Sequence, residues 1–191
     1  MVSVWMESVG RCLDESLELL AAAVRDCPDE LWRAPMWRVQ TSEIAGEVYD
    51  VDGRTVTDPA QRERLAQRWS TPWSVAWHAL EVADYDLAGE LGAWAPPPPF
   101  AGKPHWQTFT SLPVPWSQSE IVGYVDYCRQ RVRDTLAGMT EDEAATPLPP
   151  AHRYEGSPYA LIVTRLIGHT TAHAIQIRQF VTPAFDSPNA F

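Results

Sequence analysis

The stretch Ser157 to Val181, SPYALIVTRLIGHTTAHAIQIRQFV, decides the fold. Ile162, Leu166, His169, His173, Gln176 and Phe180 recur at three- and four-residue steps, which puts them on one face of an α-helix. Ser157 stands where a helix cap belongs, and Pro158 follows at the first helical position, where a missing N–H costs nothing. Pro183 marks the far end. The face is hydrocarbon at its ends and carries two imidazoles in the middle.

Three further segments carry the same period. From about Val4 to Asp26, the residues Met6, Val9, Leu13, Leu17, Leu20 and Val24 form one stripe, and Pro28 ends it. From about Pro72 to Leu91, Thr71 caps the helix, Pro72 opens it and Gly92 stops it. From about Ser117 to Ala137, Ser117 and Glu120 have capping-box spacing, and Gly138 stands at the C-terminal cap. Ile121, Tyr124, Val125, Cys128, Val132 and Leu136 make that stripe. Four amphipathic helices in 191 residues predict an all-α four-helix bundle in a single domain spanning 1–191.

The connections are long. Around Asp52-Gly53 the segment 47–56 alternates, a hairpin signal, and a short helix is expected near Ala60 to Arg68. The segment Ala93 to Trp116 is rich in proline and tryptophan and reads as an ordered loop packed over one end of the bundle.

Composition narrows the function. The net charge of −10, with no basic patch, argues against nucleic acid and anionic membrane as partners. No apolar run is long enough for a membrane helix, and Asp14, Glu15 and Glu18 stand where a secretory signal needs cations, so a cytoplasmic protein is expected. The three cysteines are odd in number and widely spaced, which fits neither a disulfide framework nor a Cys-x-x-Cys metal site. Cys12 and Cys128 read as buried, inert thiols.

The chemistry lies in the histidines, of which there are five. His169 and His173, four apart on a helix, face the same way with β-carbons roughly 5–6 Å apart, close enough for both rings to hold one metal. A chance pair at this spacing occurs in roughly one such chain in eight, so the pair alone is weak. His78 adds weight, because it lies mid-way along the second bundle helix with Ser74, Val82 and Tyr85 on its face. Bundles build metal sites from inward side chains on facing helices, and three neutral ligands leave coordination positions open. The competing reading is a set of hydrogen-bonded core histidines. Thr170 follows His169, so the His-Glu-x-x-His protease motif is absent. A general base must come from elsewhere: Glu81 and Asp84 are the candidates, each otherwise a solvated or ligand-orienting carboxylate. Gln176 is placed to touch the site or to orient a ligand. Tyr85 and Tyr154 are candidate substrate-binding residues, and His105 and His152 are loop histidines at a possible mouth. The tryptophans Trp69, Trp73 and Trp77 have helical spacing and read as core or interface.

These residues carry a resemblance. Pro28-Asp-Glu-Leu-Trp32-Arg, Pro72-Trp-Ser-Val-Ala-Trp-His78 and His169-Thr-Thr-Ala-His173-Ala-Ile-Gln176-Ile resemble the DinB-like superfamily over nearly the whole chain. That superfamily includes YfiT-type proteins described as metal-dependent hydrolases, and thiol S-transferases. Its pattern places one ligand histidine on the second helix and two, four apart, on the last, where His78, His169 and His173 stand. Many members have glycine where this chain has Ile175, and the two long connections exceed those of the simplest members. The resemblance implies a divalent metal, zinc or nickel first, often a homodimer, and in some relatives a low-molecular-weight thiol such as mycothiol or bacillithiol.

Three functions follow as expectations. The first is a metal-dependent enzyme activating a thiol or water for transfer or hydrolysis on a small electrophilic substrate, with thiol transfer slightly favoured by the resemblance alone. The second is a non-catalytic metal- or ligand-binding bundle. The third is a structural bundle whose histidines are core.

Overall fold

The computed structural model describes residues 4–39, 54–88, 115–150, 152 and 154–182. The elements are α1 (Val4–Arg25), α2 (Pro59–Ala66), a 3₁₀ turn (Gln67–Ser70), α3 (Pro72–Ala88), α4 (Gln118–Gly138), α5 (Glu141–Ala145) and α6 (Tyr159–Val181). Among the described residues there is no strand. The expected hairpin around Asp52-Gly53 and most of the proline- and tryptophan-rich segment lie outside the described residues.

Helices α1, α3, α4 and α6 form the bundle. Each of α1 and α3 packs against both α4 and α6, while α1 and α3 barely touch across the diagonal. The α1 stripe is the one read from the sequence: Met6, Val9, Leu13, Leu17, Leu20 and Val24 are all buried. Burying each leucine contributes about 1.5–3 kcal/mol. Cys12 is exposed, contrary to expectation, because it sits some 100° around the helix from Leu13 and falls off the stripe. Cys128 is buried as expected, and burial pushes its thiol well above the ordinary range.

Helix α4 starts with the capping box: the Ser117 N–H donates to Glu120 Oε2 at 2.7 Å, and the Glu120 N–H donates to Ser117 Oγ at 3.3 Å. Gly138 ends the helix without a left-handed turn, because Met139 is extended and Thr140 at once caps α5. Ser157 does not cap α6 either. Its carbonyl accepts from the Leu148 N–H, Pro158 occupies the cap position, and the Tyr159 N–H donates to Thr146 O. Gly156 at φ 75°, the one left-handed residue among those described, makes the turn that brings this loop back.

The buried stripe of α6 is shifted from the expected one. Ile162 and Leu166 are buried as expected, together with Val163, Thr170, Ala174 and Ile177, whereas His169 and His173 are half-buried on the shoulder of the core and Gln176 is exposed. Helix α3 is buried almost all round, including Glu81, Asp84 and Asp86; His78 and Ala88 are its only half-buried residues. Among the described residues no helix is long and apolar enough to cross a membrane.

The segment after α1 is pinned to the bundle. Trp32 Nε1–H donates to Trp116 O at 2.7 Å, the Trp73 N–H to Trp32 O, and the Met36 N–H to Ser70 O at 2.7 Å. The Gln67 amide pairs with the Val39 backbone in both directions, accepting at 3.1 Å and donating at 2.9 Å.

Candidate metal centre

Helices α3 and α6 run antiparallel. Tyr159, at the start of α6, donates its hydroxyl to the carbonyl of Asp86 near the end of α3. Early in α3, His78 meets His169 and His173 of α6, with ring centroids 5.2 Å from each. The two α6 histidines are one turn apart, with centroids at 4.5 Å and Nε2 atoms 3.2 Å apart. One nitrogen from each of the three rings lies within 4.8 Å of the others. Two imidazole nitrogens on one metal ion, each at 2.0–2.1 Å, stand about 2.9–3.4 Å apart. The Nε2 pair meets that spacing, and three neutral nitrogens suit a borderline-soft divalent cation.

Gln176 fixes the ring next to it. Its Oε1 lies 2.8 Å from His173 Nδ1, so Nδ1 carries the proton and Nε2 presents its lone pair to the centre. Burial holds the His173 pKa below its ordinary value, opposed by the Gln176 hydrogen bond, so the ring is in its ligand form at neutral pH.

Unlike spaces flank the centre along the α3/α6 seam. One, of about 210 Å³, is lined by His78, His173, Gln176, Ser74, Val75, Trp37 and Trp69. The other, of about 470 Å³, is lined by His169, Val82, Asp86, Tyr154, Arg165 and neighbouring α6 residues. The larger lies towards the start of α6, the smaller towards its end. A sequence model of the DinB superfamily matches residues 13–177.

The chain belongs to the DinB superfamily.

No curated protein and no solved structure matches it. Within this DinB chain the remaining sequence-nominated residues separate. Asp84 is fully buried and turns to α4, where it pairs with Arg131 at 3.0 Å and accepts from the Tyr124 hydroxyl at 3.0 Å. Burial raises its pKa against the pull of both partners. Glu81 is fully buried as well, close enough to Tyr124 to help raise the phenol's pKa. Tyr85 is buried and lines neither space, whereas Tyr154 lines the larger one. His152 is not at the triad. It is buried, its Nδ1 accepts from the Tyr154 N–H at 3.1 Å, and its Nε2 faces Asp86 Oδ1 at 3.7 Å. His105 lies outside the described residues. Of the three tryptophans, Trp73 and Trp77 are core, while Trp69 walls the smaller space.

Sequence reasoning did not single out Trp37, Asp86 or Arg165. Arg165 had a signal, since it precedes His169 by four residues and so shares its face. Trp37 and Asp86 had none, because their place depends on tertiary packing.

Proposed function

We propose that this DinB chain is a metal-dependent enzyme that uses the His78, His169 and His173 triad to transfer a thiol to a small electrophilic substrate. The observation that carries the reading is the convergence of three imidazoles from two helices, two of them at ligand spacing and one oriented by Gln176. These three histidines would hold a divalent metal, zinc or nickel, which would lower the pKa of a thiol or a water brought to it. The chain's own residues do the rest. Gln176 keeps the His173 Nδ1 proton away from the centre. Trp37 and Trp69 give the smaller space an apolar wall suited to the electrophile's hydrocarbon part. In the transfer the thiol loses its proton, a sulfur–carbon bond forms, and the displaced group or opened ring takes the electron pair and a proton. A homodimer is proposed with this reading, to be checked by light scattering.

A second reading, a bundle that binds a metal or ligand without catalysis, draws on Asp84. This acid, one of the two nominated as a base, is engaged with Tyr124 and Arg131 of α4. Cobalt substitution separates the two. The cobalt-loaded protein should develop a sulfur-to-metal charge-transfer band on titration with mycothiol, bacillithiol or a simple thiol, and should form conjugates with a haloarene or epoxide. If no thiol gives a band, thiol transfer is removed, and hydrolysis or the binding bundle leads.

A further inference from the structure

The larger space beside His169 carries a charge arrangement that the thiol chemistry does not use. We propose that it anchors a carboxylate group of the substrate, with Arg165 as the clamp; this rests on the metal-centre reading for the position of the reacting atom.

Arg11, Arg25, Arg38, Arg129, Arg131 and Arg133 all pair with carboxylates. Arg165 has no ion pair among the described residues, as is true of Arg33, Arg64 and Arg178, but of these four it is the one that lines the groove. Its guanidinium lies instead over the Tyr154 ring, 4.5 Å from the centroid. Stacking occupies the faces of a guanidinium and leaves its in-plane N–H donors for a planar two-oxygen partner.

The platform under it is fixed. The Tyr154 backbone is bonded to His152, and His152 is buried against Asp86 of α3. The loop is also tied to α3 by the Tyr159 hydroxyl on the Asp86 carbonyl. Arg165 is therefore held against the groove wall by contacts that run back to the helix bearing His78. Asp86 also lines the groove, but its side chain is only 7% exposed and is turned to His152, so it does not oppose an incoming anion at the rim. Val82, Ile162 and Leu166 give the floor an apolar character that strengthens an ion pair made above it. Arg165 precedes His169 by one turn, a rise of about 6 Å, so an acid two to four carbons from the reacting atom spans the gap. In a chain of net charge −10, a cation with no ion pair among the described residues gives the groove a local sign opposite to that of the molecule.

The test uses the zinc-loaded full-length chain and charge-matched probes: butyrate, glutarate and 3-phenylpropionate, each against its amide. Affinities come from calorimetry, and the arginine Nε–H resonances from NMR. At least one acid should bind tenfold or more tightly than its amide and shift the Arg165 Nε–H signal. Arg165→Gln should bring acid and amide together, and Arg165→Lys should keep part of the difference. Circular dichroism checks that each variant is folded. Equal binding of acids and amides across the panel, or a preference that survives in Arg165→Gln, overturns the anchor. Zinc content of the same samples reads the metal centre separately. Acid preference without zinc would sink the metal reading and leave the anchor standing.

Discussion

Along the α1/α4 seam, charge stays at the surface. Asp14 accepts a two-pronged bond from Arg129, with contacts of 2.9 and 2.7 Å, Glu18 joins the same guanidinium, and Arg133 adds a contact of 3.2 Å. Between these pairs and the centre of the bundle, α1 offers a face that is hydrocarbon but for Ser16. Along α3 the arrangement is reversed. Glu81, Asp84 and Asp86 are inside, and three half-buried imidazoles occupy the seam with α6. Surface ion pairs contribute little to stability, and buried charges cost desolvation even when paired. The α1/α4 half is therefore built for holding, and α3 with α6 carries polar groups that stability alone does not call for.

The largest effect that would sharpen this contrast is a double dissociation. His173→Ala should abolish stoichiometric zinc and nickel binding while changing the stability of the metal-free protein by roughly 1 kcal/mol or less. If the wild type, purified without chelator, binds neither metal, the contrast has no functional half. Leu17→Ala, on the opposite seam, should destabilise by about 2–5 kcal/mol in urea melts and leave metal stoichiometry intact. A Leu17→Ala protein that melts like the wild type would deny α1 its role.

A smaller effect tests the side chain that orients the triad. Gln176→Ala should weaken metal affinity roughly 10–100-fold without loss of stoichiometry, and Gln176→Glu, which keeps an acceptor for His173 Nδ1, should restore most of it. Equal affinity in all three proteins would make Gln176 a bystander.

The smallest effect separates the two arginine–carboxylate pairs by sign. The hydrogen bond from Arg129 holds Asp14 below its ordinary pKa of 3.8, so its contribution is present above that value and is lost as pH falls through the lowered one. Asp84 is raised by burial, so the native state keeps its proton longer than the unfolded chain, and stability falls as pH rises from 3.8 through the raised value. Asp14→Asn should flatten the acid limb of a stability–pH profile by less than about 1 kcal/mol, given partial exposure. Asp84→Asn should remove a slope of opposite direction. Matching slopes in the two variants would break the distinction.

The sequence made the bundle legible wherever the signal was local. The Leu13–Leu17–Leu20 stripe and the Ser117–Glu120 box depend on neighbours three or four residues away, and both appear as read. Thr140 and Glu143 form the same box at α5, a helix that went unread because five residues carry no period. His169 and His173 were legible as a pair, since their spacing is helical, and His78 joined them only through the expectation that bundle helices face one another. The one-residue shift of the α6 core stripe was not, because Thr170 and Ala174 do not look more buried than histidine on a helical wheel. Nor was the interior setting of Glu81 and Asp84. Carboxylates read as solvated until a helix covered on all sides takes them in.

The reciprocal pairing of Gln67 with Val39, together with the Met36-to-Ser70 bond, closes a ring of about thirty residues at its neck. Trp37 lies inside that neck, beside the triad. Doubling the length of such a ring adds only about 0.6 kcal/mol of closure entropy. The contacts of 36–39 with 67–70 are thus enough to hold Trp37 and Trp69 together beside the candidate metal centre.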